Sequence, residues 1–112
     1  MTHQTLTPKD LREIRLGDFT AEDIFPTILD ETCLSAKTRI EDEVSKYGGG
    51  FSVTGLPGLS MQTFNKASRV FNFVIRDKVG KDKIEDEIED LLNYAIYLKV
   101  YYTMIKVKQD GK

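Results

Sequence analysis

Residues 81–108 read KDKIEDEIEDLLNYAIYLKVYYTMIKVK, and no Pro or Gly interrupts the chain until Gly111. Asp82 is placed to cap a helix, and Glu85 stands three residues on at capping-box distance. The spacing predicts one helix from Asp82 to about Lys108, a rod of roughly 40 Å at about 1.5 Å per residue. In its first half Ile84, Ile88, Leu91, Leu92, Ala95 and Leu98 fall on one stripe. Glu85, Asp86, Glu89, Asp90 and Asn93 share the other face. From Tyr94 onward Ile96, Tyr97, Val100, Tyr101, Tyr102 and Ile105 leave little polar surface, so burial on more than one side is expected. A chain of 112 residues supplies only part of that cover, and a second copy is the simplest source of the rest.

Working outward, Met61, Phe64, Ala67, Phe71, Val74 and Ile75 define an apolar face on a third helix, predicted to start at a Ser60 cap and to end before Gly80. Ahead of it, GGGFSVTGLPGLS (48–60) holds five glycines and a proline and is expected to be a loop, anchored by Phe51, Val53, Leu56 and Leu59. Leu29, Cys33, Ala36, Ile40, Val44 and Tyr47 mark a second helix, which Thr20 and Asp23 would start and Pro26 would break or kink. Thr7 and Pro8 suit the start of a short helix or docked arm within 1–19. Apart from a weak FSVTG, no segment alternates with period two. The expected architecture is a single all-α domain over residues 1–112, a small bundle of three main helices plus the N-terminal piece.

Composition bounds the function. The net charge of −2 speaks against direct binding of nucleic acid or of an anionic membrane surface. The single cysteine, Cys33, cannot close an internal disulfide, and the single histidine, His3, cannot build a zinc site. No apolar leader or membrane span is visible, so the expected setting is cytoplasmic.

Chemistry concentrates at the start of the long helix. Glu85 with Glu89, and Asp86 with Asp90 and Asn93, lie at helical spacing where carboxylate and amide oxygens suit Mg²⁺. A solvated acidic face at a helix N-terminus accounts for the same pattern. Glu41, Asp42 and Glu43 form a second acidic group that a bundle can bring opposite the first. Lys66 and Arg69 follow the glycine-rich stretch and suit phosphate oxygens. Asn93, placed where the helix turns apolar all round, needs hydrogen-bond partners if buried.

The segments KYGGG, FNKASRVFN and IEDEIEDLLNYAI resemble the phage and bacterial nucleotide-modification-associated domain 1 group, which is similar to the all-α MazG-like nucleoside triphosphate pyrophosphohydrolases. The likeness covers about residues 35–100, and Glu85, Asp86, Asp90 and Asn93 match its most specific motif in order and spacing. It implies Mg²⁺-dependent cleavage of the α,β-phosphoanhydride of a (deoxy)nucleoside triphosphate. Glu43, Glu85, Glu87 and Asp90 would hold metal, with Glu87 and Asp90 as the catalytic ExxD element. Lys66 and Arg69 would contact phosphates, Tyr47 and Gly48 would lie near base or sugar, and Asn93 would orient a ligand or carboxylate. The chain departs from the pattern in two places: the earlier helix has no ExxE, and Asn65 stands where the group often has Asp. Two other readings stay open. One is a module that binds a nucleotide or signalling nucleotide without turnover, and the other is a helical interaction protein whose Tyr-rich rod is a homo-oligomer or partner interface.

Overall fold

The computed structural model describes residues 6–14, 21–47, 51–78 and 83–111, the side chains of 21–23, 46, 47 and 51–54 excepted. The fold is all-α. Four helices, α1 (Pro8–Glu13), α2 (Ala21–Tyr47), α3 (Phe51–Arg76) and α4 (Ile84–Asp110), follow one another, with no strand among the described residues.

The start of α1 is the one its sequence predicts. Thr7 Oγ1 accepts from the Asp10 amide at 3.1 Å and Asp10 Oδ2 accepts from the Thr7 amide at 3.0 Å, with Pro8 at the first helical position, where a missing N–H is harmless. Pro26, by contrast, does not break α2, which runs from Ala21 through to Tyr47. Only the bond to the carbonyl of residue 22 is forfeited there, close to the helix start, and the rest of the ladder continues. Thr20 lies outside the described residues.

The expected glycine-rich loop is largely helix. α3 begins at Phe51 and continues through Ser60, so neither a long loop up to residue 60 nor a Ser60 cap exists. Gly55, at φ 64° and ψ −168°, breaks the first turn from the rest, and Pro57 follows where a proline suits a fresh helical start. A Cβ at Gly55 would stand 4.0 Å from the Tyr101 hydroxyl of α4, an ordinary contact, so the positive φ and not the spacing calls for glycine there. Leu59, expected to anchor this stretch, is the most completely buried large side chain. At the far end Asp77 takes φ 56°, a left-handed position that Asp tolerates better than most residues, and ends α3 three residues before Gly80. Arg12 of α1 docks there, donating through Nη1 to the Val74 carbonyl at 2.9 Å and to Asp77 Oδ1 at 2.6 Å.

α4 starts one residue later than the sequence suggests. Lys83 is its N-cap and makes no side-chain bond, while Glu85, Asp86 and Glu87 face the positive end of the helix dipole. Asp82 lies outside the described residues.

α4 is the central element. α3 packs against it antiparallel, since Lys66 meets Asp90, Arg69 meets Glu87 and Gly55 approaches Tyr101, each pair summing to the same register. α2 packs against it in parallel, since Arg39 meets Asn93 and Glu43 meets Tyr97, both 54 residues apart. Because α4 is covered from two sides, its faces differ from the simple stripe expected. Ile88 and Ala95 are exposed, whereas Glu87 and Asn93 are the buried residues of the helix. Ala36, Leu59 and Phe73 are the buried apolar residues among those described. The molecule is elongated, 52 × 32 × 25 Å, with a radius of gyration of 16.8 Å, against about 13 Å for a compact chain of this length.

Candidate functional site

Two polar strips run along α4, one toward each neighbour. The strip toward α3 is made by Glu87 and Asp90, three residues apart on one face of α4, opposite Lys66 and Arg69, likewise three apart on α3. Lys66 Nζ donates to Asp90 Oδ2 at 3.1 Å, and Arg69 Nη1 lies 3.6 Å from Glu87 Oε1. Glu87 is 7% exposed, and its Oε2 is buried with no hydrogen-bond partner. Asp90 and Arg69 are about half exposed, so the quartet opens to solvent at its rim. A buried acceptor without a partner costs about 1–3 kcal/mol. Arg69 at 3.6 Å and the positive end of the α4 dipole offset part of that desolvation.

The strip toward α2 carries Asn93 and Tyr97. Asn93, also 7% exposed, accepts at Oδ1 from Arg39 Nη2 at 3.3 Å. Arg39 Nη1 donates to Ser35 Oγ at 2.7 Å, and its Nε is buried without a partner. The Tyr97 hydroxyl donates to Glu43 Oε2 at 2.6 Å. Burial first, then this hydrogen bond and the charge of Glu43, push the Tyr97 hydroxyl well above its ordinary pKa of 10.0. Between α2 and the start of α4 is a cleft of about 310 Å³, lined among others by Glu31, Ser35, Arg39, Glu85 and Glu89.

The residues singled out in the sequence are therefore divided. Lys66, Arg69, Glu87 and Asp90 come together. Asn93 and Glu43 belong to the α2 side, and Glu85 lines the separate cleft. Glu43 meets α4 at Tyr97, ten residues past Glu87 and so about 15 Å farther along the axis. Gly48 and the side chain of Tyr47 lie outside the described residues. Sequence reasoning missed Arg39 and Tyr97, although Ala36, Arg39 and Glu43 at i, i+3 and i+7 form one helical face.

Among the described residues no three of Asp, Glu, His and Cys gather closely enough to cage a metal ion. Glu87 and Asp90 are two carboxylates on one face, the number with which Mg²⁺ is commonly held when phosphates supply further ligands. The unpartnered Glu87 Oε2 is a free oxygen donor for such an ion. No described helix is long and apolar enough to cross a membrane. Comparison with known proteins returns no match to a family model, a curated protein or a solved structure.

Proposed function

We propose that this chain binds a (deoxy)nucleoside triphosphate at the edge of the α3–α4 contact and hydrolyses it to the monophosphate and pyrophosphate. The observation that carries this reading is Glu87, a buried carboxylate with one oxygen unpartnered, inside a quartet of two acids and two bases. Lys66 and Arg69 are spaced to take oxygens of neighbouring phosphates, which frees Glu87 and Asp90 from their present partners. A Mg²⁺ held by those two carboxylates would neutralise phosphate charge and polarise the anhydride. Water is the attacking group, because Cys33 is exposed and has no histidine beside it among the described residues. As the water oxygen bonds to the α-phosphorus, the bond to the bridging oxygen breaks, pyrophosphate departs with that electron pair, and the proton that water loses passes to solvent at the half-exposed rim of the quartet. On this reading the chain works in the cytoplasm as a homo-oligomer, with the nucleotide as its ligand.

One observation favours a second reading, nucleotide capture without turnover. Each carboxylate of the quartet already has a cationic neighbour, so a phosphate group can displace it with no metal present.

Thermal melts against a panel of nucleotides, with and without Mg²⁺ and with pyrophosphate followed in the same samples, separate the two. A ligand at 100 times its dissociation constant adds about 2.7 kcal/mol of stability. Stabilisation by a triphosphate with Mg²⁺-dependent pyrophosphate release, both weakened in Asp90→Asn and Glu87→Gln, is the expected result. Stabilisation without release selects the second reading, and no response to any nucleotide overturns both.

A further inference from the structure

Two apolar surfaces of this molecule have no cover. On α3, Met61, Phe64, Phe71 and Ile75 make one stripe at helical spacing, about 21 Å long. It is turned away from α4, with Met61 69% and Phe64 70% exposed and Phe71 and Ile75 at least half exposed. The side of α3 that meets α4 is the one bearing Lys66 and Arg69, so the helix presents its most regular apolar face to solvent. On α2, Ile24, Phe25, Ile28 and Leu29 form a second patch, with Phe25 62% exposed. The register of α2 on α4, 54 residues in each observed pair, puts this patch short of Ile84, where α4 has no helical residue level with it.

The two surfaces are opposite in charge. Lys66 and Arg69 face α4 and are paired with Asp90 and Glu87, so the base that borders the α3 stripe is Arg76. Arg76 stands beside the α3 stripe, its guanidinium 5.6 Å from the centre of the Phe71 ring, and Asp30 and Glu31 follow directly on the α2 patch. The area also fits. The chain exposes 9145 Å², where a compact monomer of its mass exposes about 6,300 Å². The excess, about 2,800 Å² per chain, leaves room for the interface of a stable dimer.

We infer that a second copy of the chain covers both surfaces reciprocally. The overhanging end of α2 in each copy lies along the Met61–Phe64–Phe71–Ile75 stripe of the other, with Asp30 and Glu31 set toward Arg76, about a two-fold axis. This rests on the homo-oligomer part of the proposed function and is independent of the nucleotide.

Sedimentation equilibrium of the full chain, together with a mixing experiment, tests it. The wild-type chain is expected to be a dimer. Phe64→Asp and Phe25→Asp, both at positions exposed in the protomer, should each raise the dissociation constant about 30-fold or more. Mixed in equal amounts, the two variants form a heterodimer in which one of the two contacts is wholly native, so the mixture should associate more tightly than either variant alone. Far-UV circular dichroism checks that helicity is kept, and Met61→Asp replaces Phe64→Asp if it is not. A monomeric wild-type chain overturns this inference and the homo-oligomer with it. A dimer indifferent to the substitutions, or one whose variants show no recovery on mixing, overturns the α2–α3 pairing and leaves the oligomer standing. A monomer that sediments with vesicles of phosphatidylserine and phosphatidylcholine, and fails to do so as Phe64→Asp, would assign the apolar stripe to a membrane surface instead.

Discussion

The two contacts that α4 makes are built on different plans. Toward α3, the contact has Leu59 and Phe73 as buried apolar residues of that helix and adds two ion pairs at its edge. Toward α2, Ala36 is the single buried apolar residue that α2 contributes among those described, and the named bonds are polar, Arg39 to Asn93 and Tyr97 to Glu43. Apolar burial yields roughly 25 cal/mol per Å² whatever the detailed geometry, while a neutral hydrogen bond contributes only about 0.5–1.5 kcal/mol net. The α3–α4 pair is thus the stable frame on which the charge quartet sits, and α2 is a more weakly held element that depends on directional bonds.

The sharpest way to break this contrast is Leu59→Ala. Truncating the most buried large side chain of the α3–α4 contact should cost about 2–5 kcal/mol and lower the melting temperature of the whole fold. A small loss would mean that the frame lies elsewhere. Asn93→Ala should cost less, about 1–2 kcal/mol, and do so locally, because it leaves the Arg39 Nη2 donor without that acceptor. Hydrogen exchange followed residue by residue should show α2 amides exchanging faster with α3 amides unchanged. Equal acceleration in both helices would contradict the division.

Alkali should act on the same weaker contact. The folded Tyr97 hydroxyl is raised above its ordinary 10.0. The unfolded chain therefore loses this proton first, and the stability it contributes is whole below pH 10 and is lost as pH rises beyond it. Tyr97→Phe should flatten that part of the stability curve, and an unchanged alkaline limb would place the titration elsewhere. The smallest effect belongs to the α1 cap. Hydrogen bonds from Thr7, its backbone amide first and then its side chain, hold Asp10 below its ordinary 3.8, so the cap is intact above that value and fails as pH falls through the lowered one. Thr7→Ala should cost about 1 kcal/mol, visible as faster amide exchange in residues 8–13 while the α3–α4 frame is untouched.

Helix existence was legible because 3.6-residue periodicity and end signals coincide: Thr7 and Pro8 at one end of the chain, Gly111 at the other. The interruptions were not. Pro26 falls early in α2, and Gly55 with Pro57 reads equally as loop or as the break before a helix, because one glycine at positive φ followed by a proline serves both. Which face of a helix lies inside is a tertiary matter. α4 has neighbours on two sides, so Glu87 and Asn93 could be buried although the apolar stripe pointed to Ile88 and Ala95. Lys66, Arg69 and Asp90 stood out by type and spacing as expected phosphate and metal contacts, and Glu87 only through the family resemblance. Their mutual pairing depended on the antiparallel register, and Arg39 escaped notice because it sits in an otherwise apolar rhythm.

The parallel alignment of α2 and α4 also bears on how the chain folds. Both named bonds between them join residues 54 apart, whereas the ion pairs between α3 and α4 join residues 18 and 24 apart. Closing the shorter loop forfeits less chain entropy, so the α3–α4 hairpin is the natural nucleus and α2 docks onto it later. During synthesis the order of appearance is the reverse. α2 leaves the ribosome before either helix of that hairpin and waits, with Ala36 uncovered, until α4 has been made.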